Sequence, residues 1–408
     1  MLKKIFSNEL VRGSFILFIT INIANVLNFL FHFSMGRLLG PADYGILAVL
    51  MSLIYIYGAP SEAIQTIIAK YTARLNVKKD IRGIKFFMVK SLSKGIKISL
   101  ILFVILDIFA IFLSFFLKIN YMLILITNIL ILFFISVPIM RGVLQGRKKF
   151  ALLGVSMIIE SVFKLVLAII LVILGFKVFG ALIGTLIGVL FGLTSLFYFN
   201  KNLIKEKEQK INFENIRMEG VPYFLTMLII LLIFSIDIIL AKRFFSAEIA
   251  GQYAVLSMLG KIIFFGTVAI SKAMFPISAE KQEREGDSKN IFNKSFLIVA
   301  ILCFISVMLY WAIPGFIISI LYGNQYIEIK DYLVYSGIAL SFLSLSNLIL
   351  IYGLATNRLK KAHYLWTFLL LEIILLSFFH SNLLEYFLAL IFSNMVMFIC
   401  SFFLIKNK

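Results

Sequence analysis

Twelve apolar segments follow one another along the chain, and each is long enough to cross a bilayer as a helix of ~20 residues. The segments cover residues 14–35, 45–68, 97–117, 120–140, 151–174, 178–199, 220–241, 252–275, 294–320, 332–353, 362–380 and 384–405. Hydrophobic residues make up 62% of the sequence and charged residues only 14%. A soluble domain of this length could not bury so much apolar surface. The sequence therefore predicts an all-α membrane protein with about 12 transmembrane helices.

The basic residues are distributed unevenly between the loops. Of the 39 Lys and Arg residues, 31 lie in the terminal segments and the even-numbered loops, and six lie in the odd-numbered loops. Loops rich in Lys and Arg stay in the cytoplasm. We therefore expect a multi-pass protein of the cell membrane with both termini in the cytoplasm, where its net charge of +19 meets anionic lipids. The basic residues form no patch studded with aromatic residues, which argues against nucleic-acid binding.

A short loop sequence occurs twice. The stretch GRLLGPADYGILAVL after the first segment has a counterpart, KRFFSAEIAGQYAVL, after the seventh. Arg37 and Gly45 of the first copy align with Arg243 and Gly251 of the second, at a constant offset of 206 residues. A second pair of similar stretches supports the repeat: RGVLQGRKKF follows segment four, and YGLATNRLKKAHY follows segment ten. Each half holds six segments, so the two halves enter the membrane in the same direction, as in the parallel repeats of transporters.

This repeat predicts two six-helix lobes, residues 1–205 and 206–408. In such architectures the transported molecule binds between the repeats, near the bilayer midplane. In the first copy of the loop, Gly40 and Pro41 allow a tight reversal of the chain. Asp43 can cap the helix that follows, because its carboxylate accepts from free amides at the positive end of the helix dipole.

The repeated stretches also carry a family resemblance. GRLLGPADYGILAVL resembles the first outer loop of the polysaccharide flippases, which belong to the multidrug/oligosaccharidyl-lipid/polysaccharide exporter superfamily. SIDIILAKRFFSAEIAGQYAVLSMLGKIIF, FPISAE and RGVLQGRKKF are similar to further features of that family. The resemblance implies a MATE-like, two-lobed transporter that works by alternating access. Its implied cargo is a polyprenyl-pyrophosphate-linked oligosaccharide moved from the inner to the outer leaflet, and its implied partners are membrane lipids and enzymes of glycan assembly.

Charged side chains within the apolar segments are the first candidates for function, because a charge at the bilayer centre costs ~2.5–3.5 kcal/mol on insertion scales. Lys261 has no carboxylate within one turn on its own helix, so we expect it to line the cleft and bind phosphate, together with Lys164 or Arg37. Pairing of Lys261 with Asp237 is the alternative. Glu160 and Lys164 are one helical turn apart, and their pairing with each other is the alternative to a role in the site.

The acidic residues in the segments are candidates for coupling to an ion or for holding a gate, with a packing role as the alternative. They are Asp237, Asp107, Glu62, Glu160 and Glu372. A proton or a sodium ion is the candidate coupling ion, and the sequence indicates no other cofactor.

Two further polar or small-residue patterns follow helical spacing. Asn22, Asn25 and Asn28 form a polar stripe on the first segment, which suits the hydroxyls of a sugar or, alternatively, hydrogen bonds between helices. Glycines repeat every four residues on the sixth segment, at positions 180, 184, 188 and 192. This second pattern predicts that another helix packs closely against the glycines.

The sequence contains no phosphate-binding loop of the G-x-x-x-x-G-K-[ST] type and no paired metal-ligand motif, so we predict a transporter and not an enzyme. A cation-coupled multidrug exporter of the same fold is the alternative function, with Asp107, Glu62 and Asp237 as its coupling or drug-binding acids. The charge of the cleft distinguishes the two functions, since a cationic cleft favours pyrophosphate and an anionic cleft favours cationic drugs.

Overall fold

The computed structural model describes residues 9–209, 221–285, 287–356, 358–359 and 364–405, and within these ranges the chain is helical without any strand. The helices are α1 (Glu9–Tyr57), α2 (Ala59–Val77), α3 (Ile81–Leu117), α4 (Tyr121–Ile129), α5 (Phe133–Gly146), α6 (Phe150–Leu171), α7 (Lys177–Phe199), α8 (Lys201–Ile204), α9 (Val221–Phe244), α10 (Ala247–Glu285), α11 (Lys289–Ala312), α12 (Pro314–Leu321), α13 (Leu333–Ala355), α14 (Leu365–Phe378) and α15 (Leu383–Leu404). Short 3₁₀ turns at Leu130–Leu132 and Asn324–Tyr332 and a π turn at Val172–Phe176 connect some of them.

In the described part of the chain, nine helical segments are long and apolar enough to cross a membrane. Ile19–Val77 covers most of the first predicted segment and all of the second, and Phe150–Phe199 contains the fifth and sixth. The shorter apolar helix Leu365–Phe378 covers most of the eleventh. In the described part of the chain, all twelve predicted segments thus lie mostly on helices, and the prediction of an all-α, multi-pass membrane protein is confirmed.

Two glycines with positive φ break the long helical segments. Gly40 (φ 73°, ψ 173°) interrupts α1, and Pro41 follows it as the first residue of the continuing helix. Gly175 (φ 92°) separates α6 from α7. A side chain at either position would be strained, because L-residues rarely adopt this backbone conformation. The expected reversal after the first segment is therefore a single break at Gly40.

The described residues divide into two units. Unit 1 comprises Met1–Leu39 and Leu53–Val221, and unit 2 comprises Gly40–Ser52 and Pro222–Lys408. The sequence predicted the boundary after residue 205, whereas the division along the chain falls at the start of α9. The segment Gly40–Ser52, which carries the first copy of the repeated loop, belongs with unit 2.

Side-chain and backbone contacts explain why Gly40–Ser52 is part of unit 2. Tyr44 is fully buried there, and its hydroxyl lies 3.2 Å from the hydroxyl of Tyr322. A Cβ atom added to Gly45 would lie 2.9 Å from the Cα atom of Gly251. Gly45 and Gly251 are the aligned glycines of the two repeated loops, so each copy needs glycine in order to approach the other.

In unit 1, the glycines of α7 face α6. A Cβ atom on Gly184 would lie 2.5 Å from the amide nitrogen of Ala168, and one on Gly188 would lie 2.7 Å from the Cβ atom of Lys164. The prediction of close helix packing is confirmed. The glycines leave room for the stems of larger side chains on α6, including that of Lys164.

In unit 2, α13 is the central helix and buries most of its length against α10, α11 and α15. Polar side chains fix these contacts. Ser336 donates to the carbonyl of Leu256 at 2.5 Å, and Asn394 donates to the carbonyl of Ala339 at 3.2 Å. Hydrogen bonds of this kind hold helices together where lipid removes the hydrophobic driving force.

Candidate functional site

A buried polar cluster occupies unit 2, where α10 faces α9. Tyr253, Ser257 and Lys261 are spaced four residues apart on α10 and therefore share one face of the helix. All three donate to the carboxylate of Asp237 on α9, at distances of 2.9, 2.6 and 3.3 Å. Tyr386 on α15 donates to the backbone carbonyl of Asp237 at 2.7 Å. The cluster thus joins three helices at Asp237, with α10 bonded to its carboxylate and α15 to its backbone carbonyl.

Lys261 is the only cation of this cluster among the described residues, and it is completely buried. Its ammonium forms an ion pair with Asp237, which is 2% exposed, and lies 4.5 Å from the centre of the Phe234 ring. This is the pairing that the sequence left as the alternative to a cation lining the cleft. The ammonium therefore has both its carboxylate partner and its aromatic partner within unit 2.

Glu372 on α14 adds a second carboxylate to the same region. Its side chain is completely buried and lies within electrostatic range of Asp237 and Lys261. Neither carboxylate oxygen has a hydrogen-bond partner among the residues that the structure describes. Lys261 forms its ion pair with Asp237, and Glu372 lies buried close to that pair. Burial of a charge without a hydrogen-bond partner is costly, which makes Glu372 a candidate for binding a proton or a small cation.

A second charged pair lies in unit 1, where α5 faces α6. The guanidinium of Arg141 donates to Glu160 at 2.7 Å and to the hydroxyl of Ser156 at 3.4 Å. The carboxylate of Glu160 is therefore bound by a residue of another helix. The sequence left open a pairing of Glu160 with Lys164, one turn away on α6. In the structure Glu160 pairs with Arg141 instead.

Lys164 is bound by α1 instead. Its ammonium donates to the side-chain oxygen of Asn28 at 3.0 Å and lies 4.2 Å from the centre of the Phe31 ring. Asn28 also contacts the hydroxyl of Ser161 at 3.5 Å. Two residues that the sequence proposed for substrate contact, Lys164 and Asn28, are thus brought together in unit 1.

The Arg141–Glu160 pair lines a cavity of about 240 Å³ in unit 1. Gln65 also lines it, and the side-chain amide of Gln65 donates to Gln145 at 2.8 Å. Phe133 is among its apolar residues. Arg141 and Glu160 are the charged residues of the lining and balance each other, so the cavity combines neutral overall charge with several hydrogen-bonding groups.

A proline shapes the wall of this cavity. Pro138 lies inside α5 and has no amide hydrogen, so it leaves the carbonyl of Phe134 without its usual helical partner. Ser61 of α2 donates to that carbonyl at 2.9 Å and replaces the missing bond. Both Pro138 and Ser61 line the cavity.

Asp107 is held by a chain of hydrogen bonds in unit 1. Asn128 donates to the carboxylate of Asp107 at 2.7 Å, and Tyr57 donates to the side-chain oxygen of Asn128 at 2.7 Å. This geometry fits the packing role that the sequence left open for Asp107. The chain joins α1, α3 and α4.

The remaining residues proposed from the sequence lie on the surface of the described structure. Asn22, Asn25, Arg37 and Glu62 are all exposed. The asparagine stripe is therefore divided by burial, because Asn28 is half-buried and contacts α6, whereas Asn22 and Asn25 are exposed. None of these four exposed residues is among those that line the cavity of unit 1.

The glycines of the RGVLQGRKKF stretch pack α5 against α2. A Cβ atom on Gly142 would lie 2.7 Å from the carbonyl oxygen of Gln65, and one on Gly146 would lie 2.6 Å from that of Ala69.

The basic residues that follow Gly146 lie outside the predicted spans. Burial lowers the pKa of the Arg147 guanidinium, and burial together with the positive charge of Arg147 lowers the pKa of Lys149.

Sequence reasoning missed several residues of these clusters. Arg141 was counted among the loop cations, although it lies inside α5 and holds Glu160. Tyr253 and Ser257 carry no charge and were not proposed. Their signal was their four-residue spacing from Lys261, which places all three on one helical face.

Comparison with known proteins places the chain in a family. The sequence profile of the family described as "Polysaccharide biosynthesis protein" matches residues 10–282, which is more than half of the chain. The chain belongs to this family. Its membership confirms the resemblance found in the sequence. No match was found among the curated proteins.

Solved structures show the same fold. An inward-facing multidrug resistance MATE family transporter of the MOP superfamily superposes with a TM-score of 0.75 at 16% identity, over 93% of each chain. A MOP superfamily transporter from Pyrococcus furiosus, described by the reverse polarity of its binding pocket, matches with a TM-score of 0.64 at 15% identity, over 97% of this chain and 94% of its own. The protein therefore has the fold of these membrane transporters. Neither these transporters nor the members of its family are enzymes.

Proposed function

We propose that this polysaccharide biosynthesis family member moves a lipid-linked oligosaccharide from the inner to the outer leaflet of the cell membrane. Its family supports a glycan cargo, and its fold is that of transporters with alternating access. Sugars and a pyrophosphate cannot cross ~30 Å of hydrocarbon unaided. In this role the enzymes of glycan assembly supply the cargo, and the lipid tail stays in the bilayer.

The observation that carries the proposal is the polar cavity of unit 1. Its lining combines an arginine, a carboxylate and a side-chain amide, which are Arg141, Glu160 and Gln65. Amide and carboxylate groups hydrogen-bond sugar hydroxyls, and a guanidinium binds phosphate oxygens in pairs. An approaching phosphate can replace Glu160 as the partner of Arg141. Because the charges of the lining balance, it is the hydrogen-bonding groups of the cavity, and not its net charge, that suit a glycan cargo.

The buried cluster of unit 2 supplies a coupling site in this proposal. Lys261 balances the charge of Asp237 and leaves Glu372 as the second carboxylate, so uptake of one proton or sodium ion by Glu372 would neutralise the cluster. Release of that ion leaves a buried carboxylate unpaired, which favours rearrangement of the helices around it. Binding of the ion and of the cargo at separate sites is thereby linked through the conformation.

The test is flipping of a fluorescent polyprenyl-pyrophosphate oligosaccharide in vesicles that contain the purified protein. Arg141→Gln is expected to reduce the rate at least about tenfold, since a charge-assisted hydrogen bond contributes ~1.5–3 kcal/mol. Arg141→Lys keeps the charge but not the paired geometry and should recover part of the rate. Arg284→Gln is the matched control, because Arg284 forms an exposed ion pair with Glu280 at 3.1 Å on unit 2. Full activity of Arg141→Gln would refute the proposed role of the cavity.

Export of cationic drugs is the second candidate function. It is favoured by the likeness of the fold to transporters that are described as multidrug resistance proteins. The same vesicles distinguish the two functions when a cationic dye replaces the lipid-linked sugar. Dye transport that depends on Glu160, without flipping of the sugar lipid, would favour drug export.

A further inference from the structure

An apolar groove of about 410 Å³ lies between α6 and α7 of unit 1. Adjacent residues of α6 line the groove and the polar cavity, since Ile159 belongs to the groove and Glu160 to the cavity. At Gly192 of α7, a Cβ atom would lie 2.9 Å from a carboxylate oxygen of Glu160. The two helices thus present an apolar surface and a polar surface only one residue apart.

Aromatic rings form most of the groove. The rings of Phe163 and Phe191 are stacked, with centroids 3.9 Å apart and an interplanar angle of 5°. Tyr198, which is 63% exposed, continues the wall toward the end of α7. The hydroxyls of Thr194 and Ser195 also line the groove, but they donate to carbonyls of their own helix at 3.0 and 2.6 Å. The groove therefore demands no hydrogen bonds from a ligand and suits a flexible apolar chain.

A cation marks one end of the groove. The ammonium of Lys201, just beyond the end of α7, lies 4.1 Å from the centre of the Tyr198 ring. The distribution of basic residues predicts that this end of α7 faces the cytoplasm. An apolar chain in the groove would thus carry its head group beside a positive charge, at the level of the inner-leaflet phosphates.

We propose that this groove binds the isoprenoid chain of a polyprenyl phosphate lipid, with Lys201 at the phosphate. The inference rests on the proposed function, because it takes the lipid-linked cargo as the occupant. Flat, methyl-branched isoprene units pack well on aromatic faces such as those of Phe191 and Tyr198. The charge of Lys201 complements the phosphate, and the nearby cavity offers a place for the polar remainder of the cargo.

The test uses tryptophan fluorescence in nanodiscs made of a brominated phosphatidylcholine, which quenches tryptophan on contact. Trp311 and Trp366 are the two tryptophans of the chain, and both are first replaced by Phe. Phe191→Trp then reports on the groove. Ile101→Trp on α3, whose native side chain is 61% exposed, is the matched control at another exposed apolar position. Tyr198→Trp serves as the reporter if Phe191→Trp does not fold.

Added polyprenyl monophosphate is expected to relieve quenching at position 191 with a saturable dependence, and not at position 101. Lys201→Gln should weaken the apparent affinity about fivefold, because one lysine near the surface contributes ~1 kcal/mol. The same variant should leave the response to a polyprenol without phosphate unchanged. Equal relief at both positions, or equal potency of a phosphatidic acid with ordinary acyl chains, would overturn the proposal in favour of a general lipid surface.

This assay contains no oligosaccharide and measures no flipping. Saturable binding in the groove together with absent flipping would contradict the proposed function and leave the groove established. Normal flipping without selective binding at position 191 would contradict the proposed groove and leave the proposed function standing. The two proposals therefore fail separately.

Discussion

Replacement of Lys261 by Ala leaves Asp237 buried without its ion-pair partner. The ammonium and the carboxylate oxygen are 3.3 Å apart, and the two residues are 0% and 2% exposed. Unit charges at this distance attract each other by ~5 kcal/mol at an effective dielectric constant of about 20. Removal of one partner of a buried pair costs ~3–5 kcal/mol in proteins. Tyr253 and Ser257 still donate to Asp237 in the variant, so we expect a loss near ~3 kcal/mol.

The measurement is thermal unfolding of the purified protein in detergent. A loss of ~3 kcal/mol corresponds to a fall in Tm of ~6–12 °C for a unit of 150–250 residues. Lys294→Ala is the matched control, because Lys294 is an exposed lysine of α11 in the same unit. Its Tm should change by less than about 1 °C, as is usual for surface substitutions.

A double variant separates loss of the pair from loss of packing. Asp237→Asn combined with Lys261→Ala removes both charges, so the double variant should be more stable than Lys261→Ala alone. Equal Tm values for Lys261→Ala and Lys294→Ala would refute the reasoning. That result would mean that Lys261 does not stabilise unit 2 through Asp237.

Three further predictions concern Glu372, the packing of α7 against α6 and the two repeated loops. Glu372→Gln removes the carboxylate that has no hydrogen-bond partner among the described residues, so we expect flipping to lose its dependence on pH or sodium; a retained dependence would exclude Glu372 from coupling. Gly188→Ala forces a Cβ atom to 2.8 Å from backbone of α6 and should cost ~1–3 kcal/mol in unfolding experiments, whereas Gly266→Ala, with open space around it, should not. Cysteines at Ala42 and Ala247 should both react with a membrane-impermeant reagent from outside, and reaction of either from the cytoplasm alone would contradict the parallel repeat.

The helices themselves could be predicted from the sequence because a membrane leaves few choices. Backbone amides and carbonyls in hydrocarbon must bond within their own segment, so an apolar run of ~20 residues forms a helix whatever its neighbours are. Close packing of another helix against α7 could also be predicted, since glycine at every fourth position leaves one bare helical face, but the sequence did not state that this helix is α6. These features depend on local sequence alone.

The membership of Gly40–Ser52 in unit 2 could not be predicted in this way. The repeat showed that Gly45 and Gly251 are equivalent, but equivalence does not state that two positions touch. The structure places them in contact, and Tyr44 against Tyr322, 278 residues away. A contact of that separation is decided by how helices pack and not by the pattern along one of them.

The charged residues show the same division. The sequence determined which spans contain Asp237, Lys261 and Glu160, because each interrupts an apolar run. Only the tertiary structure decided their partners, which are Asp237 for Lys261 and Arg141 for Glu160. Lipid tails are as apolar as a protein interior, so hydrophobicity does not encode which helical face packs against another. The choice of partner is made by small residues and hydrogen bonds between helices that are distant in the sequence.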